Sequence, residues 1–218
     1  MNELHYFDRK QDYEVVNRKL PHWSQPGTVC FITFRTADSM PRHVIERWQA
    51  DRLAWLEDHG IDSLIVDWRQ RLRDLPTLEQ QDFYRTFSTR WHSELDQSHG
   101  RCELRDPALA KIVGDSLLHR NGDDYYLSDF VVMSNHVHLL AAFATGTGVL
   151  KQCESWKRWT ARKINESLGR RGRFWQQDGF DHLVRSEEQF QHFRRYIAIN
   201  PTNAGLKEGE FLHWSSQA

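Results

Sequence analysis

Two histidines, His136 and His138, stand one residue apart in an apolar stretch of the chain. The stretch 136–143 is predicted as a strand, and side chains at i and i+2 of a strand lie on the same face. Two imidazoles on one face can bind a divalent metal ion together, or hydrogen bonds can satisfy them at a sheet surface. The spacing alone leaves both interpretations open.

Tyr196 and Asn200 form a second candidate pair, four residues apart in a predicted helix. Residues at this spacing lie on one face of a helix, one turn from each other. The Tyr196 phenol is a candidate nucleophile, and the Asn200 amide oxygen is a candidate third metal ligand. The alternative is that Tyr196 is a core aromatic residue and Asn200 caps the helix before Pro201.

Strands and helices of an α+β fold are predicted around these residues. Residues 28–36, 125–133, 136–143 and 180–185 have the composition of strands. Helices are predicted to begin at 106–107, to extend over about 150–168, and to extend from 187 to 200, where Pro201 is expected to end the last one. With residues 38–105 set aside as a helical insertion, the order β-α-β-β-α-β plus a terminal helix predicts a ferredoxin-like antiparallel sheet.

This order of elements divides the chain into three predicted parts. Residues 1–27 are polar and are expected to form an N-terminal arm, residues 28–206 form the domain with its insertion after the first strand, and residues 207–218 form a C-terminal tail. The length of 218 residues agrees with one domain that carries an insertion.

The composition excludes several classes of protein. No apolar run approaches the roughly 20 residues of a membrane span, and the first residues lack the apolar region of a secretory signal. The three cysteines are far apart and without a CxxC pair, so they are expected to be reduced thiols in a cytoplasmic protein. The 29 Lys and Arg against 30 Asp and Glu argue against a uniformly basic nucleic-acid binder.

A basic surplus is nevertheless concentrated near the candidate residues. Residues 151–210 contain 12 Lys and Arg against 8 Asp and Glu. Aromatic side chains beside these cations suit the stacking of unpaired bases and phosphate contact, although core packing is the alternative for the tryptophans. The predicted DNA-binding residues are Lys157, Arg158, Arg170, Arg171, Arg173, Trp175, Arg194 and Arg195. Asp181 and His182 are candidates for orienting a ligand or the nucleophile, or are surface strand residues.

Three longer strings carry a family resemblance: VVMSNHVHLL at 131–140, GRFWQQDGFDHLVRSEEQF at 172–190 and RRYIAINPTNAGL at 194–206. Together they resemble the IS200-like single-tyrosine transposases of the HUH class, most of all the branch associated with repetitive extragenic palindromes (REP). The resemblance covers about 25–37 and 106–206. The family usually has proline where this chain has Ser134, and often a histidine where it has Ala198; both departures spare the residues expected to react.

The resemblance implies a role for each candidate residue. His136 and His138 would be the histidines of the HUH motif, Asn200 would complete a site for Mg²⁺ or Mn²⁺, and Tyr196 would be the nucleophile. Two imidazoles alone would also suit Zn²⁺. The implied reaction is transesterification of single-stranded DNA, including hairpin or palindromic DNA, through a 5'-phosphotyrosine intermediate.

Alternative functions remain for the same residues. The main one is a nucleic-acid-binding module that keeps the sheet without the chemistry. A metal-dependent barrel hydrolase would need a longer chain and a motif near the first strand, and a histidine-triad hydrolase would need a histidine in place of Leu140. One candidate nucleophilic tyrosine per chain leaves monomer and homodimer both open.

Overall fold

The computed structural model describes six stretches of the chain: 5–17, 21–65, 67–89, 99–145, 148–177 and 179–216. The chain divides into two compact units, residues 1–37 with 101–218, and residues 38–100. None of the helices in the described stretches is both long and apolar enough to cross a membrane.

Strands of the first unit form the sheet that the sequence predicts. In the described residues this unit has strands β1 (Glu14–Asn17), β2 (Pro21–Ser24), β3 (Val29–Arg35), β4 (Tyr125–Val132), β5 (His136–Phe143), β6 (Phe180–Leu183) and β7 (Leu212–Ser215). β1 and β2 form a small hairpin, and the other five strands form an antiparallel sheet in the order β6-β3-β5-β4-β7. Counted from β3, the four predicted strands stand in the spatial order 4-1-3-2, so the ferredoxin-like α+β prediction is confirmed.

The second unit is helical where it is described. It contains α1 (Arg42–Asp58), α2 (Trp68–Asp74) and α3 (Thr77–Phe83), and a π-helical turn, Tyr84–Thr89, follows. Its core is built from large side chains such as Leu56, Phe83 and Phe87. The sequence predicts a helix over 78–98, of which 90–98 lie outside the described residues.

Three helices of the first unit cover the two faces of its sheet. They are α4 (Pro107–Leu118), α5 (Gly148–Ser167) and α6 (Glu187–Asn203). The Asp106 side chain caps α4 by accepting from the Ala108 backbone N–H at 2.9 Å, as the Asp-Pro pair predicts. Ser186 caps α6 by accepting from the Gln189 backbone N–H at 3.2 Å.

Strand β5 contributes to the core on both faces because all its residues are buried. Val137 and Leu139 pack in the cluster that α4 and α5 cover. Leu140 packs in the cluster that α6 covers, and alternation along the strand places His136 and His138 on this second face.

The predicted end of α6 at Pro201 is wrong, because the helix continues to Asn203. Proline removes one backbone donor, and it costs little here because the last turn keeps its other bonds. The Ala204 N–H still donates to the Asn200 carbonyl at 3.0 Å, and the Leu206 N–H donates to the Pro201 carbonyl at 2.9 Å.

The two terminal regions contain strands that the sequence analysis does not identify. The N-terminal arm includes the β1–β2 hairpin. The C-terminal tail includes β7, which pairs with the edge strand β4 and thereby adds a fifth strand to the sheet. A four-residue strand such as LHWS has too few alternating positions for its pattern to be recognised.

Candidate functional site

The site is centred on His136 and His138, whose side chains are 0% and 2% exposed. Their ring centroids lie 4.6 Å apart, with the ring planes at 79°. The two imidazoles therefore lie on the same face of β5, as the sequence predicts.

Two neighbouring side chains hold these imidazoles in place. The Nδ1 atom of His136 lies 2.7 Å from Oδ1 of Asn135, and Nδ1 of His138 lies 2.7 Å from Oγ1 of Thr33. Because the Asn135 oxygen can only accept, Nδ1 of His136 carries the proton and Nε2 has the lone pair. A hydrogen bond at one ring nitrogen is the usual way to orient a metal-binding histidine.

Tyr196 reaches this pair from α6. Its ring centroid lies 5.1 Å from that of His138, with the planes at 71°, and 6.0 Å from that of Phe31. Phe31 also stacks on His138 at 5.5 Å and on Phe193 at 4.3 Å. The strand that carries the histidines and the helix that carries the tyrosine are thus packed together through aromatic rings.

Asn200 lies one turn beyond Tyr196 on α6 and is 3% exposed. The i, i+4 spacing places it on the side of the helix that faces the sheet. The helix continues past Asn200 to Asn203, so Asn200 is not the residue at which it ends.

Charge and burial keep His136 in the form that binds metals. Burial lowers the pKa of His136 well below its usual 6.5, and the charges of Arg35 and His138 lower it further. Neutral imidazole is the ligand form of histidine, so this shift favours the form that a metal ion would bind.

The donor set of this face suits a divalent ion shared with a substrate. His136 and His138 offer imidazole nitrogens, and Asn200 offers an amide oxygen. In the described part of the chain, no group of three His, Cys, Asp or Glu residues is arranged to hold a metal. Any ion held here would therefore take its remaining ligands from water or substrate.

Arg35 is a buried cation in this site that the sequence analysis does not single out. It is 7% exposed and lies opposite His136 in the β3–β5 register, as Thr33 lies opposite His138. Directly paired residues share a face of an antiparallel sheet. Thr33 and Arg35 could have been recognised from the sequence as two polar residues at i, i+2 in an apolar strand.

Four of the predicted DNA-binding residues line one open groove. It lies between α5 and the segment 172–177, and its cationic side chains come from Lys157, Arg158 and Arg173. Arg158 and Arg173 are exposed. Lys157 donates to the Gln177 carbonyl at 2.6 Å, so it also fixes the segment that forms the other wall.

Trp175, the fourth, lies in the core at 4% exposure. Its Nε1–H donates to Oγ1 of Thr160 at 2.8 Å, and its ring meets Phe34 edge-on at 4.9 Å. A ring enclosed in this way has no face for base stacking. Trp156 is buried too, whereas Trp159 is 40% exposed.

The arginines of the 169–173 loop have different surroundings. Arg170 makes a two-bond ion pair with Glu103, at 2.5 and 2.6 Å. Arg171 and Arg173 are exposed. Arg171 and Arg173 of the loop are thus exposed to solvent. Arg170 instead anchors the loop to Glu103, elsewhere in the same unit.

The two arginines before Tyr196 also differ. Arg195 is exposed. Arg194 donates through Nε to Asp129 at 2.9 Å and through Nη2 to Oγ of Ser215 at 3.3 Å. The structure therefore gives Arg194 a role inside the protein.

Asp181 and His182 point to opposite faces of β6. Asp181 is hydrogen-bonded to His22 of the N-terminal hairpin, away from the His136 face. His182 is paired with Phe31 and contacts Gln189 of α6 at 3.1 Å. Asp181 thus fixes β2 to the sheet edge, and only His182 lies on the face that carries Tyr196.

Comparisons with known proteins agree with the sequence resemblance. Residues 118–200, which include both histidines, Tyr196 and Asn200, match the family model described as an IS200-like transposase. None of the curated proteins compared with the chain matches it. Among solved structures, a REP-associated tyrosine transposase bound to a REP hairpin is similar over 86% of this chain and 74% of that one, at 16% identity and a TM-score of 0.41. The resemblance to IS200-like transposases is confirmed, and the fold assignment rests on the strand order of this chain itself.

Proposed function

We propose that the chain is a DNA transposase-like enzyme that cleaves and rejoins single-stranded DNA through Tyr196. The observation that carries the proposal is the contact of the Tyr196 ring with His138, 5.1 Å between centroids, beside the second histidine of the pair. A phenol next to a pair of candidate metal ligands is an arrangement that suits metal-assisted phosphoryl transfer to tyrosine.

The reaction is an exchange of one phosphodiester for another. The Tyr196 oxygen attacks the phosphorus atom, the new O–P bond forms, and the bond from phosphorus to the 3'-oxygen breaks. The phenol proton leaves to solvent, and the departing oxygen takes up a proton as a 3'-hydroxyl. A second 3'-hydroxyl later attacks the 5'-phosphotyrosine, so that rejoining needs no external energy source.

Residues of the His136 face prepare this step. A divalent ion, Mg²⁺ or Mn²⁺, held by His136, His138 and Asn200 would polarise a phosphoryl oxygen and offset the developing charge. Asn135 and Thr33 orient the imidazoles. Buried Arg35 adds positive potential where a phosphate would lie.

The DNA partner is inferred from the groove beside α5. Arg158, Arg171 and Arg173 present exposed cations there or on the adjoining loop, as phosphate contacts require. The solved structure similar to this chain holds a REP hairpin, which supports hairpin or palindromic DNA as the ligand. We therefore propose that the groove binds the DNA whose scissile strand reaches Tyr196.

The test uses end-labelled single-stranded oligonucleotides from the DNA flanking the gene, with and without palindromes, incubated with Mn²⁺. The expected result is a labelled product on a denaturing gel that survives boiling in detergent and is absent with Tyr196→Phe. Equal binding by both proteins without a product, across metals and substrates, would favour a nucleic-acid-binding module instead.

A further inference from the structure

An irregularity in β4 turns Asp129 toward the helix that carries Tyr196. Leu127 is paired with Ala141 of β5, whereas Asp129 is paired with the next residue, Leu140. Two residues of β4, Ser128 and Asp129, therefore lie opposite one residue of β5, which is a β-bulge. Regular alternation would place Asp129 on the Leu127 face; the bulge moves it to the opposite one.

On that face Asp129 meets Arg194 of α6. Nε of Arg194 lies 2.9 Å from Oδ2 of Asp129, and Nη2 lies 3.4 Å from Oδ1. The Asp129 and Arg194 side chains are 5% and 21% exposed, so solvent screens the pair little. Ser128, the bulged residue, donates its hydroxyl to the same carboxylate.

The same guanidinium also contacts one further strand, β7, and a ring one turn earlier on its own helix. Nη2 of Arg194 donates to Oγ of Ser215 on β7 at 3.3 Å, and the guanidinium carbon lies 5.8 Å from the centroid of the Phe190 ring. Arg194 stands two residues before Tyr196 on the same helix. Arg194 thus adds polar contacts to β4 and β7 to the aromatic packing that holds α6 against the sheet.

We propose that Asp129 and Ser215 are positioning residues for Tyr196, which act by holding Arg194 and thereby α6. This inference rests on the proposed function. Misplacement of a reacting group by about 1 Å can cost about 100-fold in rate, so a helix that can slide over the sheet would slow attack by Tyr196. Arg194 would then contribute little to DNA binding.

The test compares Asp129→Asn and Arg194→Gln with a control of the same chemical change, Asp115→Asn. The control removes the ion pair with Lys111 on α4, a helix that covers the opposite face of the sheet from α6. Single-turnover adduct formation at saturating oligonucleotide should fall by about 10- to 100-fold in both test variants and stay unchanged in the control. The dissociation constant for the oligonucleotide should be unchanged in all three.

Two further measurements separate positioning from other roles. The double variant Asp129→Asn/Arg194→Gln should be no slower than the slower single variant, because both remove one interaction. Arg194→Lys should restore part of the rate. If Arg194 contacts DNA instead, Arg194→Gln alone would weaken binding and lower its salt dependence, and the proposal would be overturned.

Hydrogen exchange of α6 gives a readout that does not depend on the chemistry. Asp129→Asn should speed exchange of the amides around Tyr196, and Asp115→Asn should not. If the wild type forms no adduct, the proposed function fails while the exchange result still tests the contact. Unchanged exchange in Asp129→Asn, or an adduct rate equal to that of the wild type, would overturn the positioning role.

Discussion

The ring of Tyr196 on α6 lies 5.1 Å from the ring of His138 on β5, and the two rings meet nearly edge to face. Two elements far apart in the sequence thus bring a phenol to a buried imidazole pair. The contact thus places the candidate nucleophile, Tyr196, next to a candidate metal ligand, His138.

Replacing either histidine should remove metal-dependent cleavage. We expect His136→Ala and His138→Ala to form no adduct in Mn²⁺ while their circular dichroism stays that of the wild type. Thr33→Val is the graded control, because it removes only the hydrogen bond to Nδ1 of His138 and should weaken Mn²⁺ binding by about 10- to 100-fold. Normal cleavage by a double histidine variant would contradict the metal assignment.

Removing the charge of Arg35 should slow the reaction more than it weakens binding. In Arg35→Gln the developing phosphoryl charge loses a buried cation, and we expect the single-turnover adduct rate to fall by about 100-fold. Arg35→Lys keeps the charge and should lose less. A rate equal to that of the wild type in a folded Arg35→Gln protein would show that this cation does not act on the phosphate.

The exposed arginines of the basic loop should contribute to DNA affinity. Arg171→Glu with Arg173→Glu removes two exposed cations, and the slope of log affinity against log salt should fall by about 1.4 to 1.8 if both contact phosphates. Arg170 is left unchanged because its ion pair with Glu103 supports the loop. Unchanged affinity and slope would place the DNA elsewhere on the protein.

Trp175 should matter for stability and not for base stacking. Trp175→Ala removes a buried ring and its bond to Thr160, and we expect it to lower the free energy of unfolding by about 3 to 5 kcal/mol. Trp159→Ala, at a 40% exposed position, should lower it by less than Trp175→Ala does, because less of the ring is buried. Chemical denaturation measures both, and equal losses would contradict the packing described for Trp175.

The sequence predicted those parts of the site that depend on local spacing. The i, i+2 rule of a strand predicts the common face of His136 and His138, and the i, i+4 rule of a helix predicts the common side of Tyr196 and Asn200. The four strands were predicted from their β-branched and aromatic composition.

Features set by long-range pairing were not predictable in this way. The bulge at Ser128 reverses the alternation of β4, so a strict period of two places Asp129 on the wrong face. For Trp175 the sequence left DNA contact and core packing both open, and the buried position with its Thr160 acceptor decides for the core. Neither the bulge nor the Thr160 acceptor can be recognised from the types of the residues next to it in the sequence.

The most direct measurement of the central claim is to locate the covalent bond. Wild-type protein that has reacted with an oligonucleotide is digested with nuclease and trypsin, and the peptides are sequenced by mass spectrometry. The account predicts a nucleotide joined through its 5'-phosphate to Tyr196, with none in Tyr196→Phe. A nucleotide on another residue, or cleaved DNA with no modified peptide, would contradict it.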